Sequence, residues 1–273
     1  MTNATLVVLL LAPVLGQMRD EFYQDFRRGA IHPALGQFGP DAARVFQQAP
    51  DGLRIALRAK RPEPGAVGVT PQFQISGDFE ITVGYQLLAA ETPDSGLGTG
   101  VKLWGRIESD DQQAMTLAHL VRPNGDPRIL ALMARVDKDD QRVLDERFHE
   151  ATERRGQLRI SRVGSELLFS VAEGLSDEFV EFHRAPVGSG DVKTLRISAN
   201  THDVPVAVSI CLTDLRIRAD RLPITSPQAI GRSWLAVLGW LFVLAIIGAG
   251  GFFGWRYYSG QGERAAAGKT SGG

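Results

Sequence analysis

The stretch GDFEITVGYQLL, residues 77–88, decides the fold class because its side chains alternate between apolar and polar. One side carries Phe79, Ile81, Val83, Tyr85 and Leu87, and the other carries Asp78, Glu80, Thr82, Gly84 and Gln86. Successive side chains of a β-strand point to opposite faces, so a period of two predicts a strand with one buried face. The wetter face is then either the outer wall of a sandwich or a binding surface.

The same period continues on both sides of this strand, between Phe22 and Leu222, in runs broken by Gly, Pro, Asn or Asp. Ten strands are predicted: GLRIALRA (52–59), GDFEITVGYQLL (77–88), GVKLWGRI (100–107), AMTLAHLV (114–121), ILALMARV (129–136), GQLRISRV (156–163), SELLFSVA (165–172), EFVEFHRA (178–185), TLRISAN (194–200) and VAVSICLTDLRIRA (206–219). No long amphipathic helical pattern lies between these strands, and the sequence shows no internal repeat. This number of antiparallel strands favours two stacked sheets, since stacking hides edges that one open sheet would expose.

Two features predict how the strands are arranged. The segments 156–163 and 165–172 meet at Gly164-Ser165, which is typical of a tight hairpin turn. In a two-sheet sandwich, FYQDFRRG (22–29) and LTDLRIRAD (212–220) are expected to lie close together.

The composition limits the chemistry of the chain. With 273 residues, 44% of them hydrophobic, and a net charge of -1, the chain can bury one sizeable core and shows no preference for nucleic acid. Its single cysteine, Cys211, excludes an intramolecular disulfide. No cationic neighbour of Cys211 is evident in the sequence, so a small packed residue is expected there.

The N-terminal segment, residues 1–16, is predicted to be a signal peptide. Its apolar run, 6–15, is too short to cross a hydrocarbon core of about 30 Å, and Val14 and Gly16 permit cleavage before Gln17. The usual basic residue ahead of the apolar run is missing, which leaves a buried N-terminal strand as the alternative.

The C-terminal segment 233–255 has no charged residue and the length of a membrane-spanning helix. Basic residues flank it on both sides, so they do not orient it, but an export signal would carry residues 17–232 outward. The prediction is a single-pass protein of the cell membrane, with a stalk at 223–232 and a cytoplasmic tail at 256–273.

Several segments carry a resemblance to a known family. They are DFRRG, FGPDAARV, GLRIAL, GDFEITVGYQLL, TLAHLVRP, GQLRISRVGSELLFSVAEG and TDLRIRAD. In this order, over about residues 22–220, they resemble a bacterial domain family of unknown function with a concanavalin-A-like lectin/glucanase sandwich. The resemblance implies an all-β, two-sheet antiparallel jelly-roll with one concave face across 17–222. It implies no particular activity, because this sandwich carries lectins, glycosidases and inert spacers.

The candidate ligand-binding residues are Trp104, Arg106 and Glu108. With Lys102 they share the polar face of one predicted strand, where an indole ring either stacks on an arginine or offers a platform to an outside group. An aromatic face beside charged hydrogen-bonding groups suits a pyranose ring. The alternative is that Trp104 lies under a loop.

No catalytic residue is expected. A retaining glycosidase needs two carboxyl groups about 5 to 5.5 Å apart. Glucanases of the resembled superfamily carry them on one strand in an E-x-D-x-x-E or similar pattern, which is missing here. Asp78 and Glu80 share a strand face, but this spacing is common on exposed sheets, so they are interpreted as solvated wall or ligand contacts.

No metal and no cofactor is expected either. The segment DKDDQRVLDERF, 137–148, has Arg142 where a calcium loop needs Gly and Phe148 where it needs Glu, so it is interpreted as a solvated loop. The histidines show no metal-ligand spacing. His119 shares the face of Met115 and Leu117 and is interpreted as a core or rim residue.

These patterns favour a membrane-anchored, extracytoplasmic module that recognises carbohydrate or an envelope protein, or that has a structural role there. The alternatives are a carbohydrate-active enzyme on the same fold and a pure spacer. Two facing acids would favour the enzyme, whereas an aromatic platform without them would favour binding.

Overall fold

The computed structural model describes residues 18–224, which form fifteen β-strands and one short helix. The elements are β1 (Asp20–Asp25), β2 (Leu35–Phe38), α1 (Ala42–Val45), β3 (Phe46–Ala49), β4 (Gly52–Leu57), β5 (Val67–Pro71), β6 (Ser76–Ala90), β7 (Thr99–Ile107), β8 (Ala114–Val121), β9 (Pro127–Val136), β10 (Arg142–Glu150), β11 (Arg155–Val163), β12 (Glu166–Glu173), β13 (Val180–Pro186), β14 (Val192–Asn200) and β15 (Val208–Arg221).

These strands form two antiparallel sheets that face each other across one core. The larger sheet has eight strands in the order β13-β12-β11-β6-β15-β4-β3, and β1 pairs with the second half of β15. The smaller sheet has seven strands in the order β10-β9-β8-β7-β14-β5-β2. The predicted all-β, two-sheet antiparallel sandwich is therefore confirmed.

Strand β6 crosses the middle of the larger sheet and shows the predicted division between its two faces. Phe79, Ile81 and Val83 are each 0% exposed and belong to the core. On the other face, the Glu80 carboxylate lies 3.5 Å from a guanidinium nitrogen of Arg159. The wetter face of residues 77–88 is thus the outer wall of the larger sheet.

The predicted hairpin and the predicted meeting of the two ends are both confirmed. Strands β11 and β12 pair from Val163 and Glu166 outward, and Gly164 has a φ of 61°, a conformation that costs a glycine little. The Asp78 carboxylate accepts a hydrogen bond of 2.9 Å from the Gly164 backbone N–H and so fixes this turn. Along the other edge of β15, β1 pairs in register from Asp20 opposite Ala219.

The sequence pattern did not identify every strand. The strands it left out are β1, β2, β3, β5 and β10. The interpretation of 137–148 as a solvated loop is wrong from Arg142 onward, because β10 begins there and pairs with β9. As an edge strand, β10 keeps most of its side chains exposed and therefore shows no apolar alternation. The turn before it is a loop, in which the Asp137 carboxylate accepts the backbone N–H groups of Asp139 and Gln141.

A buried arginine joins the two sheets at one end of the core. Arg162 is 2% exposed and donates hydrogen bonds to the carbonyls of Gly190, at 2.5 Å, and of Gly77. Gly77 belongs to β6 in the larger sheet, and Gly190 precedes β14 in the smaller sheet. The Arg162 guanidinium also lies 5.1 Å from the ring centroid of Phe79. Burial lowers the pKa of Arg162, and the nearby carboxylates of Asp78 and Asp191 oppose that shift.

A second buried polar contact crosses the core between Tyr85 of β6 and His119 of β8. The Tyr85 hydroxyl and His119 Nδ1 are hydrogen-bonded at 2.8 Å, and His119 is 1% exposed. His119 Nε2 has no hydrogen-bond partner among the described residues. Burial lowers the pKa of His119 to about 4 because the charged ring would lose its hydration.

This buried histidine predicts an acid-sensitive fold. Because the pKa of His119 falls from 6.5 in the unfolded chain to about 4 in the folded one, the unfolded state binds more protons between these values. The contribution of the neutral His119 to the free energy of unfolding is complete above pH 6.5. It declines as the pH falls toward 4, by about 3 kcal/mol in total. His119→Gln should flatten this part of the pH profile of urea unfolding, whereas the exposed His32→Gln should leave it unchanged. An equally steep profile in His119→Gln would contradict the prediction.

The predicted segments at both ends lie outside the described residues. These are the signal peptide at 1–16, the transmembrane helix at 233–255 and the tail at 256–273, together with most of the stalk at 223–232. Within 18–224, no helix has the length and apolar character needed to cross a membrane.

Candidate functional site

The outer face of the smaller sheet holds the candidate site, and strand register determines which side chains are neighbours there. Cross-strand pairing aligns one outward residue from each of five adjacent strands. This row consists of Arg196 (β14), Trp104 (β7), Thr116 (β8), Leu132 (β9) and Glu146 (β10). An aromatic ring thus lies near the middle of the sheet, between a guanidinium and apolar or small side chains.

One part of this outer face is apolar and covered. Ala118, Leu120 and Leu130 are almost completely buried there, although they point away from the main core. Leu97 and Phe148 pack over this second cluster, and the Arg122 guanidinium lies 4.5 Å from the Phe148 ring centroid. The face is therefore a shaped surface and not a uniformly wet wall.

A hollow of about 300 Å³ lies between Trp104 and the next outward row, in which Arg106, Ala114 and Ala134 are paired across β7, β8 and β9. It is lined by Trp104, Arg106, Gln112, Ala114, Ala134, Arg135, Val136 and Arg142. The Trp104 ring is half-buried. The Arg196 guanidinium lies 5.6 Å from its centroid and 4.9 Å from that of Phe38, so one arginine contacts two aromatic rings.

The structure brings two of the three predicted ligand-binding residues together. Trp104 and Arg106 line the hollow on β7, as the period of two predicts. Glu108 lies beyond the end of β7 at Ile107, outside the lining, and its carboxylate is 2.5 Å from Lys193 Nζ. Whether any of the three binds a ligand remains a prediction.

The sequence interpretation missed Arg135 and Arg142, which complete the hollow. They come from β9 and β10, and their proximity to Trp104 depends on strand pairing that a single-strand pattern does not contain. Arg142 was assigned to a loop, so no pairing was expected for it. Lys102, one outward position before Trp104, is close enough to Arg142 for that charge, together with burial, to lower the pKa of Lys102.

Carboxylates are missing from the central strands of the smaller sheet. None of the four central strands β14, β7, β8 and β9 contains an aspartate or a glutamate at any position. On the described outer face, Glu146 lies on the edge strand β10, and Glu108 is paired with Lys193. A pair of facing acids is therefore not built into the centre of this sheet.

The larger sheet has a cleft of its own on its outer face, with a volume of about 640 Å³. Some charged groups on this face are paired with one another. Arg27 lies 2.9 Å from Asp25, and Arg159 lies 3.5 Å from Glu80. Such pairing is typical of a solvated outer wall, in which side chains satisfy each other.

The fold defines the class of protein: an all-β, two-sheet antiparallel sandwich that resembles lectin and glucanase folds. The chain belongs to the family described as "Protein of unknown function (DUF1583) C domain", which matches residues 7–238. No curated protein matches the sequence.

Solved structures with the same architecture include enzymes and lectins. An apo Crh5 transglycosylase is 12% identical with a TM-score of 0.51, and the match covers 75% of this chain and 86% of that chain. A β-1,3-1,4-glucanase (lichenase) from a mouse hindgut metagenome is 10% identical with a TM-score of 0.49, covering 74% of this chain and 99% of that chain. A legume lectin-like domain from Entamoeba histolytica is 10% identical with a TM-score of 0.47, covering 68% of this chain and 90% of that chain. At such identities the likeness shows the fold alone.

Proposed function

We propose that this protein is a membrane-anchored, extracytoplasmic module that binds carbohydrate, without catalysis, on the outer face of its smaller sheet. The observation that carries the proposal is the half-buried ring of Trp104 at the wall of a 300 Å³ hollow, next to the guanidinium of Arg106. The signal-like segment 1–16 and the uncharged segment 233–255 support a position outside the membrane for the domain at 17–222.

The chemistry of a pyranose matches this arrangement. One face of the sugar ring exposes C–H groups, which stack on an indole, while its hydroxyls need hydrogen-bond donors and acceptors at the rim. Trp104 supplies the apolar surface, and Arg106 and Gln112 supply donors. Glu108 joins the site as an acceptor if its ion pair with Lys193 opens. An envelope protein is the second kind of partner that the same surface would accept.

The second candidate function is a carbohydrate-active enzyme, which the transglycosylase and lichenase folds bring into consideration. Hydrolysis with retention would require two carboxyl groups about 5 to 5.5 Å apart across the sugar bond. The absence of aspartate and glutamate from the four central strands supports binding over catalysis. An enzyme would have to take both acids from loops or from the edge strand.

The binding proposal predicts the effect of removing the aromatic ring. In a glycan array followed by calorimetry on the binding sugar, Trp104→Ala should weaken affinity by about 30-fold, the size expected for an aromatic anchor worth about 2 kcal/mol. Melting temperature should change little, because Trp104 lies outside the main core.

The matched control is Tyr23→Ala, which removes an aromatic ring from the outer face of the larger sheet. Tyr23 is 46% exposed and also lies beside an arginine, with the Arg216 guanidinium 5.3 Å from its ring centroid. Its loss should leave glycan affinity unchanged. A large drop in melting temperature for Trp104→Ala, or no glycan binding by the parent protein, would favour the spacer interpretation.

The membrane anchor is tested by fractionation. The full chain should sediment with membranes and resist extraction by salt and by alkali, since a helix of about 20 apolar residues is held by the hydrocarbon core. A chain that stops after Leu222 should appear in the soluble fraction. Soluble full-length protein would remove the anchor from the proposal.

A further inference from the structure

Four arginines surround Trp104, and none of them is in a close ion pair within the described part of the chain. Arg106, Arg135 and Arg142 line the hollow, and Arg196 lies against the Trp104 ring. Within residues 18–224, none of these four side chains has a carboxylate oxygen within 4.0 Å. The smaller sheet thus presents several unpaired guanidinium groups around a single aromatic ring.

The outer face of the larger sheet shows the opposite arrangement. Glu80 lies between Arg159 and Arg218, at 3.5 Å and 3.8 Å. Glu21 lies 3.4 Å from Arg216. Arg159, Arg216 and Arg218 on that face are therefore ion-paired within the protein. Arg155 of the same face, however, is in no close ion pair with a described residue. The whole chain has a net charge of only -1.

The acids at this end of the smaller sheet are already engaged. The Glu108 carboxylate is 2.5 Å from Lys193 Nζ. The Asp111 carboxylate accepts a hydrogen bond of 2.8 Å from the Gln113 amide. Against the effect of burial, which raises it, the pKa of Asp111 is lowered by hydrogen bonds from Gln113 and Ser109 and by the charge of Arg135, so Arg135 has a carboxylate in its neighbourhood. Because β7, β8, β9 and β14 contain no acid, the only carboxylates on the described strands around the hollow belong to the edge strand β10, and none of them lies within 4.0 Å of these guanidinium groups. The lowered pKa of Lys102, to which Arg142 contributes after burial, agrees with a positive field at this surface.

Like charges gathered at a concave surface repel each other and favour an anion from outside. The planar fork of a guanidinium matches the two oxygens of a carboxylate, and such bonds are shorter and stronger than neutral ones. A volume of about 300 Å³ lies at the lower end of the range for ligand sites, which is roughly 300 to 1,000 Å³.

Resting on the proposed carbohydrate-binding function, we propose that the ligand is an anionic saccharide, with a pyranose ring on Trp104 and its carboxylate held by Arg106 and Arg142. The acidic group supplies the counter-charge that the protein lacks at this surface. The ring and the charge are recognised by different side chains, so the two contributions are separable by mutation.

The test compares matched charged and neutral sugars on the full-length protein in detergent. The probes are oligogalacturonate, its methyl ester, oligoalginate, hyaluronan fragments and a sulfated chondroitin fragment, with a single-stranded oligonucleotide as a polyanion that is not a sugar. At least one acidic glycan should bind about tenfold or more tightly than a neutral counterpart. Its affinity should fall as salt is raised, because ion pairs are screened.

Variants then separate the ring from the charge. Arg142→Gln and Arg106→Gln should each reduce affinity for the acidic glycan about tenfold and leave that for its neutral counterpart unchanged, whereas Trp104→Ala should reduce both. The control Arg216→Gln, an ion-paired arginine on the larger sheet, should change neither.

Each remaining outcome decides between the two proposals. Binding that depends on Trp104 but shows no preference for charged sugars overturns the anionic-ligand inference and leaves the carbohydrate-binding function standing. No Trp104-dependent binding to any glycan overturns both. Equal or tighter binding of the oligonucleotide overturns the saccharide assignment. A preference for the sulfated fragment supports the anionic class and identifies sulfate as its acidic group.

Discussion

Replacing Arg162 by methionine is expected to lower the free energy of unfolding by about 3 to 5 kcal/mol, because two hydrogen bonds from a charged donor are lost and each is worth about 1.5 to 3 kcal/mol. The side chain is 2% exposed, and its hydrogen bonds join Gly77 of the larger sheet to Gly190 beside the smaller one. Methionine fills part of the volume but donates nothing, so both buried carbonyls lose their charged donor. The measurement is urea unfolding of the fragment 17–222, followed by circular dichroism.

The matched control is Arg155→Met, because Arg155 lies on the same strand, β11, but is exposed. It should change the free energy of unfolding by less than about 0.5 kcal/mol, as surface substitutions usually do. If Arg162→Met and Arg155→Met had equal and small effects, the hydrogen bonds of Arg162 between the two sheets would contribute little to the free energy of unfolding. A similar stability with a changed urea dependence would point to a change in the unfolded state instead.

The second large effect is expected for Phe79→Ala, at about 3 to 5 kcal/mol, because truncating a buried aromatic ring removes its packing and leaves a cavity. Phe79 is 0% exposed and lies on β6, which contacts both β11 and β15. The neighbouring Glu80→Ala should cost about 1 kcal/mol or less, since Glu80 lies on the partly exposed outer face. Comparable losses for the two variants would contradict the assignment of the faces.

Phe79 and Arg162 should also be energetically coupled. The guanidinium lies 5.1 Å from the ring centroid, so each side chain contributes to the surroundings of the other. The double variant Phe79→Ala/Arg162→Met should therefore lose less stability than the sum of the single variants, by at least about 0.5 kcal/mol. Strict additivity would show that the two residues act independently.

The core strands were predictable from the sequence because burial on one face imposes alternation on it. Strand β8 begins and ends where the pattern AMTLAHLV places it, and β6 extends the predicted 77–88 by a few residues. The short strands β2 and β3, of four residues each, are too brief to establish a period. Edge strand β10 has too few buried side chains for one.

The candidate site was predictable only along a single strand. A period of two is enough to place Trp104 and Arg106 on one face of β7. Their neighbours Arg135 and Arg142 come from other strands, and cross-strand proximity depends on register, which a one-residue slip would reverse. Arg162 was not anticipated because a charged residue at a core position has no apolar signature, although it alternates with Leu158 and Ile160.

The position of β15 also constrains the order in which the protein can be completed. In the larger sheet it separates β6 from β4 and β1, so the first strands of the domain reach the rest of that sheet only through the last one. During synthesis, β3 and β4 can pair with each other, but neither this pair nor β1 can join the rest of the larger sheet until residues 208–221 emerge. Pairings between such distant segments form slowly, since a long loop must close before any contact is gained. The N-terminal strands therefore cannot pair with the rest of the larger sheet until the final strand of the sandwich has been synthesised.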